Sequence, residues 1–158
     1  KKQPIISLLC CFLLFVAGAA PPDQGNTYDI IAFGAKGDGK TDDAAAIQRA
    51  INACSAAGGG TVIIPAGHTF SMGPLQLASY VNLHLEPNSR LLANPDESIY
   101  TESAFRENRG EGMMWISGKD LKANIITGTG EIDGNGIAFM GKELDDSYEL
   151  KPVTDFDP

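Results

Sequence analysis

Two hydrophobic rhythms divide the chain. Between residues 41 and 57 the apolar positions Ala46, Ile47, Ala50, Ile51 and Cys54 alternate with Gln48, Arg49 and Asn52 at helical spacing. One apolar face and one polar face on the same segment predict an amphipathic helix over about 41–57. Thr41 reads as its N-cap, and Asp42 and Asp43 as first-turn acids that complement the helix dipole; Gly58 ends it. Residues 28–33 read as a strand ahead of it. From Thr61 onward the period shortens to two. Val81, Leu83 and Leu85 alternate with Asn82, His84 and Glu86, the mark of a strand with one buried face. Similar short runs recur at 61–64, 74–77, 90–93, 113–117, 124–128 and 130–134. Pro-Ala-Gly, Pro-Asn-Ser, Asn-Pro-Asp and Asp-Gly-Asn-Gly turns separate them. Many short strands after one helix allow a sandwich, a barrel or a stacked solenoid.

The first residues follow a different logic. Lys1 and Lys2 precede an apolar run over 5–16 and the small-residue stretch Ala17-Gly18-Ala19-Ala20-Pro21. This order predicts a secretory signal peptide over 1–19 and a polar linker over 20–27, with an extracellular or periplasmic product; a retained anchor is the alternative. The apolar run is short for a membrane span, which needs about 20 residues. With that peptide removed, Cys54 is the sole remaining cysteine, so no internal disulfide forms. Its place on the apolar helix face suits a small buried hydrophobe better than a nucleophile. The net charge of −8 falls to −10 once Lys1 and Lys2 are gone. That balance argues against nucleic acid or an anionic membrane as partner.

Residues 34–41, Gly-Ala-Lys-Gly-Asp-Gly-Lys-Thr, fit the phosphate-binding pattern G-x-x-x-x-G-K-[ST] at every fixed position. A phosphate loop works by turning backbone N–H groups and a helix N-terminus toward an anion. Here Asp38, Asp42 and Asp43 would surround that anion and repel it. The strand that follows the helix ends in Pro65 rather than in an aspartate able to hold magnesium. The structural reading, a turn running into a capped helix, is preferred over a nucleotide site, and no cofactor is expected.

Four segments, in this order, carry a resemblance: YDIIAFGAKGDGKTDDAAAIQRAINAC (28–54), GGGTVIIPAG (58–67), VNLHLEPNSRLLAN (81–94) and ITGTGEIDGNG (126–136). They resemble the N-terminal part of the polygalacturonase family (glycoside hydrolase family 28) within the pectin-lyase-like superfamily. The resemblance implies an all-β fold, a right-handed single-stranded parallel β-helix over 28–158 with an N-terminal capping helix. It implies secreted, monomeric glycosidase chemistry on pectin, the inverting hydrolysis of α-1,4-galacturonan. Alternatives on the same fold are a polysaccharide lyase or epimerase, or a non-catalytic glycan-binding module.

The catalytic pattern of the family is Asn-Thr-Asp, then Asp-Asp, Gly-His-Gly and Arg-Ile-Lys, because glycoside hydrolysis needs carboxyl groups flanking the scissile bond. Asn26-Thr27 is followed by Tyr28, and Gly67-His68 by Thr69. Asp42-Asp43 is assigned to the helix start, His84 to a strand surface, and Asp145-Asp146 to a solvated loop with Lys142, Glu143 and Glu149. The expectation is therefore a truncated, inactive N-terminal piece whose catalytic residues lie beyond Pro158. Trp115 and Tyr100 are the candidates for contacting sugar, but a role as core or loop anchors is preferred for both.

Overall fold

The computed structural model describes residues 25–103 and 113–140. The signal-peptide segment 1–19, most of the linker 20–27 and the loop at Asp145-Asp146 lie outside the described residues. In chain order the elements are β1 (Thr27–Asp29), a 3-10 turn (Ile30–Phe33), β2 (Asp38–Asp42), α1 (Ala44–Ala56), β3 (Gly60–Ile64), β4 (Thr69–Met72), β5 (Leu75–Gln76), β6 (Val81–Leu85) and β7 (Arg90–Ala93). A second 3-10 turn (Glu97–Ile99), β8 (Ile116–Ser117), β9 (Ile125–Gly128), β10 (Glu131–Asp133) and α2 (Gly136–Met140) complete them.

The sheet orders are β1-β3-β6-β9, β10-β7-β4-β2 and β5-β8, and strands consecutive in the chain never pair. Every one of these strand pairings is parallel. The chain visits each sheet once per turn and stacks on its previous turn: a right-handed parallel β-helix. Parallel register places like on like. Val62, Leu83 and Ile126 align in the first sheet, and Phe70, Leu91 and Ile132 in the second. Val62, Phe70, Leu83 and Leu91 are buried, each contributing about 1.5–3 kcal/mol. Ile126 and Ile132, on the last of the described coils, stay 47% and 42% exposed.

Helix α1 closes the opposite end. Ile47, Ala50, Ile51 and Cys54 are fully buried with Ile30 against the first coils, and Cys54 is a free thiol. Burial pushes that thiol's pKa up, the direction of an inert core cysteine. Arg49 and Asn52 lie outside as expected. Gln48 does more. Its amide Nε2 donates to Gln76 O, and its Oε1 accepts from Gln76 N, both at 2.9 Å. The side chain thus stands in for a neighbouring strand at the edge of β5.

Three expectations need correction. The helix starts at Ala44, not Thr41, because residues 38–42 pair as β2 with β4 through Asp38↔Thr69 and Asp42↔Ser71. Thr41 therefore caps nothing; its hydroxyl donates to Asp38 Oδ2 at 2.8 Å. Asp42 and Asp43 precede the helix rather than forming its first turn, and Asp42 Oδ1 accepts from Ala44 N at 2.9 Å. The strand read over 28–33 is β1 followed by a 3-10 turn. Asp29 accepts from Ile31 N at 2.8 Å to start that turn, and Gly34 at φ 99° closes it. Lastly, β4 is an additional strand, with Phe70 and Met72 fully buried.

Candidate functional site

The connections leaving the second sheet build a concavity. After β7, Asp96 accepts from Ser98 N at 3.0 Å and starts the 3-10 turn. The chain then reaches Tyr100, which is 8% exposed and donates from its hydroxyl to Asn94 O at 2.8 Å. Trp115, just ahead of β8, donates from Nε1 to Met72 O at 3.0 Å. Phe139 of α2 meets Tyr100 edge to face, with ring centroids 6.0 Å apart and planes at 78°. Together with Glu97, Met113 and the ends of β7 and β10, they line a cleft of about 390 Å³.

Trp115 and Tyr100, the two aromatics named from the sequence, meet in one cleft, and each is also anchored to backbone. Glu97, Met113 and Phe139 carried no signal of their own. They are distant in sequence and meet only because successive coils stack. Among the described residues lining this cleft Glu97 is the sole carboxylate, so they supply no acid–base pair. Tyr100's phenol is pushed up from its ordinary pKa, first by burial and then by the negative fields of Asp42 and Asp96.

The phosphate-loop glycines give no anion site. The N–H groups of Lys36 and Gly37 donate to the Asp43 carboxylate at 2.7 and 3.0 Å, and Asp43 is 2% exposed. Those of Lys40 and Thr41 donate to Asp38 Oδ1 at 2.9 and 2.7 Å. The donors a phosphate would need are satisfied by the chain's own carboxylates. These bonds hold Asp38 down to a pKa of about 2, the Thr41 N–H acting most and the Lys40 N–H next.

His84 lies half-buried on the outer face of the first sheet, with Nδ1 2.8 Å from Thr127 Oγ1. Thr127 donates to Asn82 Oδ1 at 2.9 Å. Since the hydroxyl proton is used there, Thr127 accepts from His84, which fixes the imidazole with its proton on Nδ1. His68 tilts against Phe70 at 5.8 Å. Arg90 pairs with Glu131 at 3.5 Å and more closely with Asp133, tying β7 to β10. Asp133 is held below its ordinary pKa by the Asn135 N–H and by Arg90. Among the described residues no group of three or more His, Cys, Asp or Glu is arranged to hold a metal.

A family model described as "Rhamnogalacturonase A/epimerase, pectate lyase-like" matches residues 28–139. The chain is 35% identical over 121 residues to an exopolygalacturonase of Zea mays, covering 75% of this chain and 27% of that protein. A shorter stretch of 40 residues is 65% identical to alginate lyase 7 of Azotobacter vinelandii, covering 25% of this chain and 5% of that one. Among solved structures, the hyperthermoactive exopolygalacturonase of Thermotoga maritima superposes with a TM-score of 0.61 at 32% identity, covering 72% of this chain and 26% of that one. The chain thus spans about a quarter of the length of the polygalacturonases it matches.

Proposed function

Because the chain belongs to the pectate lyase-like rhamnogalacturonase A/epimerase family, we propose that it supplies the capped front coils of a secreted polygalacturonase-like hydrolase. The substrate is pectin, and the reaction is inverting hydrolysis of its α-1,4-galacturonan. The observation that carries this reading is the match over three quarters of the chain to an exopolygalacturonase, joined to the same fold in a solved one. In an inverting hydrolase one carboxylic acid protonates the leaving oxygen while a second carboxylate activates water on the opposite face. The cleft at Tyr100 and Trp115 has one carboxylate among the described residues and forms a shoulder of the substrate groove. The reacting carboxylates belong to coils beyond Pro158, so these residues alone are inactive. A signal peptide over 1–19 brings the protein to the plant-wall polymer outside the cell, where it acts as a monomer without nucleic acid, membrane or cofactor.

The chain incubated with polygalacturonate should release no reducing ends above a protein-free control. Clear release would overturn the assignment of the catalytic groups to later coils. The stretch shared with an alginate lyase favours a second reading, a lyase or epimerase. That reading predicts an unsaturated, ultraviolet-absorbing product or calcium dependence from the longer protein.

A further inference from the structure

We propose that the corner carrying Tyr80, Lys119 and Lys122 holds a uronate residue of an acidic polysaccharide, the sugar ring against Tyr80 and its carboxylate facing the two lysines. This rests on the pectin reading above and adds a second place where the polymer is gripped, since none of the three residues lines the cleft at Trp115.

The observation that carries it is a strained aromatic in an exposed place. Tyr80 sits at φ 65° yet is 42% exposed, and its ring is no part of the hydrophobic core. The left-handed region crowds a Cβ, so a bulky residue persists there only where neighbouring bonds hold it. They do. Tyr80 O accepts from Gly60 N at 3.1 Å, one coil before, and Tyr80 N donates to Lys122 O at 2.8 Å, one coil after. Ser79 is pinned as well: its carbonyl accepts from Ser55 Oγ and its hydroxyl oxygen from Lys122 N, both at 3.1 Å. Glycine or asparagine would meet this backbone demand with less strain. The corner instead fixes a phenol ring at the surface.

The same bonds place charge beside that ring. Lys122 stacks on the Ser79-Tyr80 backbone, and Lys119 opens the turn that leads to it; both are exposed. Asp120 at φ 52° and Ala123 at φ 50° hold this turn in defined backbone states. Asp120 is the one carboxylate within residues 118–124, so two ammonium groups stand against it. The ion pairs among the described residues are those of Arg90, which leaves both lysines for an outside anion. A chain of net charge −8 repels a polyuronate at long range. A cationic corner offsets that locally, and an aromatic face suits the C–H side of a sugar ring.

The full chain is titrated with trigalacturonate at about 20 mM and about 200 mM salt, with binding read from the ligand's own NMR signals. Binding should saturate in the millimolar range and weaken about threefold or more at the higher salt. Lys119→Gln combined with Lys122→Gln should weaken it about fivefold or more. Tyr80→Asn removes the ring but suits the left-handed backbone, and should weaken binding about threefold or more with circular dichroism unchanged. Binding that neither change moves overturns the corner and leaves the pectin reading standing. A neutral galactose trimer binding as tightly, or inorganic sulfate competing as well at equal ionic strength, overturns the recognition of a uronate. If a mannuronate trimer binds through these three residues and trigalacturonate does not, the corner stands and the pectin reading falls. Failure of both uronates to bind overturns the corner alone, because the pectin reading rests on other coils.

Discussion

The aspartates following the first glycine turn show how much one side chain decides. Asp43 is buried and accepts two backbone N–H bonds from the turn it follows, while its own N–H donates to Ser71 O at 2.8 Å. Removing the carboxylate strands those donors, so Asp43→Ala should lower unfolding free energy by about 2–3 kcal/mol in urea titration. Asp43→Asn keeps one acceptor and should lose less. Asp38 acts through charge. Its folded pKa of about 2 lies below the ordinary 3.8, so the carboxylate contributes stability that is present above 3.8 and lost as pH falls through about 2. Thermal melts of the native chain should therefore fall more steeply between about pH 4 and pH 2 than those of Asp38→Asn. Asp133, shifted the same way, adds to that fall in both proteins. Parallel curves for the two would contradict the assignment.

Among elements, those with a strong period were legible and those built on backbone alone were not. The face Ala46, Ile47, Ala50, Ile51, Cys54 is the buried face of α1, and Val81, Leu83 and Leu85 are the buried face of β6. By contrast β2 reads Asp-Gly-Lys-Thr-Asp and has no hydrophobic alternation to reveal it. Its strand character comes from pairing with β4. Residues 30–33 carry the hydrophobicity of a strand, yet the Asp29 bond and the left-handed Gly34 bend them into a 3-10 turn. Glycines in the coils follow position as well. Gly128 ends β9 at φ 105°, and a Cβ there would run into the Leu85 backbone beneath it. Gly58, at φ 94° after α1, faces open space within 4 Å. Alanine at 128 should cost about 2–4 kcal/mol and at 58 only about 1–2 kcal/mol. Equal losses in chemical denaturation would mean that β9 does not stack on β6 as described.

At the scale of the molecule, the solenoid decides which residues become neighbours. Stacked coils turn sequence-distant residues into neighbours, which is why Glu97, Met113 and Phe139 could not be placed beside Tyr100 and Trp115 from the sequence. The same stacking gives one end capped by α1 and another where Ile126 and Ile132 present inward-type side chains to the surface. We propose that these coils form the front of a pectin hydrolase whose reacting carboxylates lie on later coils. The most direct test is the nucleotide sequence of the same reading frame past Pro158. Asn-Thr-Asp, Asp-Asp, Gly-His-Gly and Arg-Ile-Lys are expected there, in that order. A frame that stops at once, or that continues in strands without those four motifs, would contradict it.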